Sequence, residues 1–276
     1  MPVTINIPTL KDKFQDYRDP IPGDSYNWGP VIKADQVKYF AFHHSVTKQT
    51  AKNDGSWKAE CDYIARLHIN PEPNGRGWGG VGYRFIICSD GTVAYVGDLS
   101  HGGSAVGGNN DTIFSACLVG DFTKELPTAA QVHSAHLLAK HFLTNMPQYP
   151  QINSWDDVIG HQDAANILKL AGAEPTACPG SNWRVAGDNL RDRIINDRWD
   201  GYPDPKPVVV VPPQPAPQPP APDPRDARIA DLEKQVSALK YDLQLCNESK
   251  TKVKDIIYGK GWPWQKVNSV KVLLPK

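Results

Sequence analysis

Three residues far apart in the sequence carry side chains suited to one chemistry. They are His43 in Phe40-Ala41-Phe42-His43-His44-Ser45, His161 in Gly160-His161-Gln162-Asp163, and Cys178 in Thr176-Ala177-Cys178-Pro179-Gly180. Two imidazoles and one thiolate are the donor set of a catalytic zinc that keeps its fourth, tetrahedral position open for water. The trio therefore points to a zinc hydrolase. A purely structural zinc would want a fourth protein ligand, for which His44 stands next in line. Adjacent strand residues point to opposite faces, however, so only one histidine of the pair reaches a given cleft.

The elements that must position these groups can be read from local pattern. Residues 37–44, Val-Lys-Tyr-Phe-Ala-Phe-His-His, form an aromatic and aliphatic run of strand length whose C-terminal end delivers the histidines. An amphipathic stretch from 57 to 70 follows Asp54-Gly55-Ser56 and is closed by Pro71, which predicts a helix. Residues 81–96 predict two strands around Ser89-Asp90-Gly91, with Tyr83 at the start of the first. Residues 113–119 supply another strand. Pro127-Thr128 opens a helix running to about Met146, Trp155-Asp156-Asp157 begins a short turn before His161, and residues 184–198 read as a further amphipathic helix. Residues 164–174 form a small helix or loop between His161 and Cys178. Alternation of strands and helices predicts an α/β domain, with a mixed central β-sheet flanked by helices, over residues 1–202.

Composition limits the other readings. The 30 basic and 30 acidic residues cancel, so bulk charge calls for neither nucleic acid nor an anionic membrane. The first eight residues lack the basic start and apolar run of a signal peptide, and no stretch of about 18 apolar residues occurs. A protein made in the cytosol, with no membrane insertion, is expected. Five cysteines, spread evenly, agree with a reducing compartment rather than a disulfide framework. Cys88 and Cys117 lie in strand-like apolar runs and read as buried thiols, whereas Cys178 sits in a polar loop. His133, His136 and His141 on one predicted helix, and His68 near the end of another, read as surface or packing residues.

The pattern changes beyond residue 202. Eleven prolines and four consecutive valines between 203 and 224 predict an extended polyproline spacer. Within residues 225–276, Ile229, Leu232, Val236, Leu239, Leu243 and Cys246 recur at steps of three and four, a short coiled-coil helix. β-Branched residues alternating with leucine favour a parallel dimer, so residues 225–250 are a candidate homo-oligomer contact. A solitary docked helix is the other reading. Trp262 and Trp264 flank Pro263 in a tail whose role is not legible.

Several segments together resemble the type-2 N-acetylmuramoyl-L-alanine amidase family, which includes phage amidase endolysins and peptidoglycan recognition proteins. They are Phe42-His43-His44-Ser45, Val81-Gly82-Tyr83-Arg84-Phe85-Ile86-Ile87, Asp90-Gly91-Thr92-Val93, His101-Gly102-Gly103, Cys117-Leu118-Val119-Gly120-Asp121, Gly160-His161 and Thr176-Ala177-Cys178-Pro179-Gly180. The resemblance spans roughly residues 30–198, and the order and number of the segments carry it. It implies the amidase/peptidoglycan recognition fold and Zn2+ held by His43, His161 and Cys178, with His44 a structural or supporting group. Tyr83 is implied as a hydroxyl beside the zinc-bound water, and His101 as a cleft residue for substrate contact or transition-state polarisation. Thr176 occupies a place where members carry lysine or threonine, and a neutral hydroxyl there can position or polarise but supplies no charge. The step of 17 positions from His161 to Cys178 exceeds the spacing in some members. That alters the cleft rim at little entropic cost, because loop closure depends on length only logarithmically.

What the resemblance implies about function is hydrolysis of the amide joining N-acetylmuramic acid to L-alanine in bacterial peptidoglycan. A leaderless amidase followed by a proline-rich spacer and a small module looks like a phage endolysin, held in the host cytoplasm until lysis and then acting on the cell wall. The alternatives are a non-catalytic peptidoglycan-binding protein and a cytosolic muropeptide-recycling amidase. Non-catalytic relatives typically lose the cysteine ligand, which this chain retains.

Overall fold

A computed structural model describes residues 2–51 and 55–199 of the chain. The expected spacer at 203–224 and heptad helix at 225–250 lie outside the described residues. Six strands form one sheet: β1 (Phe14–Asp16), β2 (Tyr39–His44), β3 (Phe85–Ile87), β4 (Val93–Tyr95), β5 (Ile113–Leu118) and β6 (Val158–Gly160). Their spatial order is β1-β4-β3-β5-β2-β6. β3 and β4 pair antiparallel and the remaining pairs are parallel, so the sheet is mixed as expected. β1 and β6, three residues each, are too short to show a period of two, and the sequence reading missed both.

β2 is buried from Phe40 onward, as suits a strand flanked on both edges by β5 and β6 and covered on both faces. One face carries Phe40, Phe42, Phe85, Ile87, Phe114 and Leu118. It packs against α2 (Ala129–Asn145) through Val132, Leu138 and Phe142 and against α4 (Leu190–Ile195) through Leu190 and Ile194. Burying each of these side chains contributes about 1.5–3 kcal/mol. Thr128 caps α2 in a capping box with Gln131, whose amide also donates to the carbonyls of Ile87 and Val119 at 3.1 and 2.9 Å. That single side chain fixes the helix to two strand ends.

The opposite face is covered in two separate patches. α1 (Trp57–Ile69) lays Cys61, Ile64 and Ala65 on Ile86 and Ala94. At the other edge, Ala164 of α3 (His161–Asn166) packs with Ala41, Ile113 and Ile159. His43 of β2 and Cys117 of β5 are partners in register between these patches.

One expected helix shortened. Residues 184–198 contain helix only at Leu190–Ile195. Gly187 takes a left-handed φ of +89°, and Asn189 starts the helix by accepting from the Asp192 amide, so the preceding residues form turns. Tyr83 likewise precedes β3 instead of opening it. No helix among the described residues is long and apolar enough to cross a membrane.

Candidate metal centre

β2 carries His43 on the face opposite Phe42. His161 is the first residue of α3, directly after β6, and Cys178 follows in a loop. One candidate ligand atom from each of the three lies within 4.8 Å of the others. The Cys178 Sγ is 3.6 Å from His43 Nδ1, and the His43 and His161 rings are 4.6 Å apart between centroids. Ligands on one tetrahedral zinc, at about 2.0–2.1 Å for nitrogen and 2.3 Å for sulfur, stand roughly 3.3–3.6 Å from each other. The donor set fits that ion, and so does the Cys178–His43 separation. His43 Nε2 is buried without a hydrogen-bond partner among the described residues.

The environment keeps both imidazoles neutral. Burial, with His161 and His44 close by, holds His43 well below the ordinary imidazole value, and burial with His44 nearby lowers His161 to about 4. Neutral imidazoles present the lone pairs a metal requires. Burial pushes the Cys178 thiol up to about 12, against a smaller opposing effect from the His44 amide, 3.4 Å from its sulfur. Without a cation the thiol keeps its proton, so metal loading must release it.

The other expected residues divide. His44 turns to the opposite face, where its Nδ1 accepts the Phe122 amide at 3.1 Å, and it lies outside the three-residue cluster. The Tyr83 ring is 5.2 Å from that of His43. Burial, with the Cys117 and Cys178 sulfurs close by, holds its hydroxyl in the phenol form well above its ordinary value. Thr176 is half-buried, and its Oγ1 accepts the Cys178 amide at 3.1 Å, so the hydroxyl shapes the turn that presents the sulfur. His101 is not part of the cluster: its Nδ1 meets Ser100 Oγ at 3.1 Å and its backbone bridges to Val31.

Two buried charged residues near the site escaped the sequence reading. Arg84 donates to the carbonyls of Val81 and Asp98 at 3.0 and 3.1 Å and to that of His101 at 3.4 Å, joining the Tyr83 segment to the His101 loop. Asp163 accepts from Gly160, Trp183 and Arg184. A cleft of about 1160 Å³ is walled by Ser45 to Thr50, by Tyr63 and Leu67 of α1, and by Asp121, Lys124 and Glu125. The lining excludes the three candidate ligands themselves.

Among solved structures, the amidase LysC from Clostridium intestinale URNW is 24% identical, over 62% of this chain and 92% of that one, with a TM-score of 0.43. Bumblebee PGRP-SA is 22% identical over 67% and 95%, with a TM-score of 0.47. Human PGRP-IBETAC, solved with glycosamyl muramyl pentapeptide, is 23% identical over 55% and 81%, with a TM-score of 0.43. These likenesses are distant, and no curated protein matches the chain. The sequence profile described as N-acetylmuramoyl-L-alanine amidase matches residues 33–181, which span His43, Tyr83, His161 and Cys178. Since that match takes in more than half of the 276 residues, the chain belongs to the N-acetylmuramoyl-L-alanine amidase family.

Proposed function

We propose that this protein is a zinc-dependent amidase that hydrolyses the bond between the lactyl group of N-acetylmuramic acid and L-alanine in bacterial peptidoglycan. The observation that carries the reading is the meeting of His43, His161 and Cys178 within 4.8 Å, in a chain of this family. Zinc bound there supplies a water that ionises near neutral pH and a Lewis acid for the scissile carbonyl. Two neutral imidazoles and one thiolate leave such a centre with one net positive charge, so the electrophile is retained.

The chain's own groups then act around the carbonyl. Tyr83, held as a phenol by burial, donates a hydrogen bond to the oxyanion as it develops. Thr176 acts through Cys178 by holding the turn that presents its sulfur. His101, on the loop pinned by Arg84, contacts substrate. Attack of water on the carbonyl forms the new C–O bond; collapse then breaks the C–N bond, with a proton from that water passing to the departing amine of L-alanine and the lactyl carboxylate left behind.

We assign the setting as that of an endolysin, made in the host cytoplasm and acting on the wall at lysis. Residues 1–202 are the catalytic domain, residues 203–224 the spacer, and residues 225–276 a module for self-association or wall binding that raises effective concentration on a polymeric substrate. Dye-labelled peptidoglycan, digested by the full chain with and without chelator and after zinc replacement, tests the central reading. Release that stops with chelator and returns with zinc is expected. Undiminished release by metal-free protein contradicts it.

A further inference from the structure

Sixteen residues lie between His161 and Cys178, yet their segments are laced together closely. The Gln162 amide donates to the Cys178 carbonyl at 2.7 Å, and the Gln162 side chain donates to the Gly180 carbonyl at 3.3 Å. Under this lacing is one carboxylate. Asp163 is 1% exposed, and its Oδ2 accepts both the Gly160 amide at 2.8 Å and the Trp183 indole N–H at 2.7 Å. Its Oδ1 accepts from Arg184 Nε at 2.8 Å. Gly160 is the residue before His161; Trp183 and Arg184 end the loop that starts at Cys178.

The packing leaves little freedom for these groups. Trp183 is fully buried, 6.2 Å from the ring of Phe42 in β2. A Cβ at Gly160 would come within 2.5 Å of the Trp183 nitrogen and 2.7 Å of Pro179 Cδ, so only glycine lets strand, indole and loop approach this closely. A buried carboxylate that accepts three donors from two segments holds those segments at one separation, and losing it leaves the donors unsatisfied.

We propose that Asp163 is the positioning residue that fixes His161 and Cys178 relative to each other, joining the two late-sequence arms of the metal centre; this rests on the zinc reading above. Neither oxygen touches the candidate ligand side chains, so its action is through backbone placement. Groups that orient metal ligands are typically worth about 10–100-fold in metal affinity or activity.

The test compares the full-length protein with Asp163→Ala, Asp163→Asn and a control, Ser134→Ala. The control removes a buried hydrogen bond to the Gly91 carbonyl at a distance from the site. Zinc affinity is measured by competition with a chromogenic chelator. The visible spectrum of the cobalt(II) form reports tetrahedral geometry and thiolate ligation at saturating metal. Asp163→Ala should weaken zinc binding about tenfold or more and shift the cobalt bands. Asp163→Asn, which still offers an oxygen to Gly160 and Trp183, should recover most of both. Ser134→Ala should lower thermal stability without moving either. Should Asp163→Ala fail to fold, Trp183→Phe removes one donor from the same carboxylate and should weaken zinc binding several-fold with a smaller shift. Unchanged affinity and an unchanged cobalt spectrum in whichever of these variants folds overturn the positioning role. A natural protein that binds no zinc overturns instead the reading on which it rests.

Discussion

The sulfur of Cys178 lies 3.6 Å from Nδ1 of His43 although they stand 135 positions apart in the chain. That contact joins the central strand to a loop near the end of the matched region, and His161 closes the triangle. Burial holds both imidazoles below and the thiol above their ordinary values, so a cation bound by all three would displace one proton.

Cys178→Ala should therefore remove the anionic ligand and that proton together. Zinc affinity is expected to fall by about a hundredfold or more, with hydrolysis falling in step. Calorimetric titrations in buffers of different ionisation enthalpy should give about one proton released per zinc for the natural protein near pH 7, and close to none for the variant. Full hydrolysis with stoichiometric zinc in Cys178→Ala contradicts the assignment.

The adjacent histidines should separate cleanly. His43→Ala is expected to abolish stoichiometric zinc. His44→Phe should keep one zinc per chain but lose about 1–3 kcal/mol of stability, because the buried Phe122 amide loses its acceptor. Metal analysis and chemical denaturation on the two variants check this; zinc lost from His44→Phe and kept in His43→Ala would reverse the assignment.

Tyr83→Phe tests the oxyanion role. Zinc content should be unchanged while kcat falls by about 10²-fold or more, the usual cost of deleting one such donor. Thr176→Val should behave differently, lowering zinc affinity a few-fold through the lost turn contact at about 1 kcal/mol, with a smaller effect on kcat at saturating metal. A kcat unaffected by Tyr83→Phe removes that residue from the mechanism.

Acid should weaken the fold through His68. Its ring is buried between Trp78 and Tyr83, its Nδ1 accepts the Gly82 amide at 3.2 Å, and burial, aided by the Arg76 charge, lowers it to about 4. The unfolded chain binds the proton more readily, so this stability is complete above about 6.5 and is lost as pH falls through 4. At roughly 1.4 kcal/mol per pH unit the full effect is a few kcal/mol. Denaturation midpoints between pH 7 and pH 4 should fall less steeply in His68→Gln; equal slopes exclude His68 as the cause.

The parts legible in the sequence were those with local causes. The run from Tyr39 to His44 announced a central strand through its aromatic content, and strand alternation put Phe42 and His44 opposite His43. The helix after Thr128 showed its capping residues. By contrast β1 and β6 exist because neighbouring strands accept their hydrogen bonds, which three residues cannot advertise. The helix expected from Arg184 failed because Gly187 and Asn189 impose a turn and a late start. Asp163 was read only as context for His161, since its partners Trp183 and Arg184 become neighbours through folding alone. The same holds for Arg84, whose acceptors are loop carbonyls with no sequence signature.

The central claim concerns one bond, so the most direct measurement is mass spectrometry of peptidoglycan digested by the purified full-length chain. The account predicts intact glycan strands bearing free lactyl carboxylates, together with stem peptides whose new amino terminus is L-alanine, and neither product when chelator is present. Products cut within the glycan or between stem-peptide residues, or the same amide products from zinc-free protein, would contradict it.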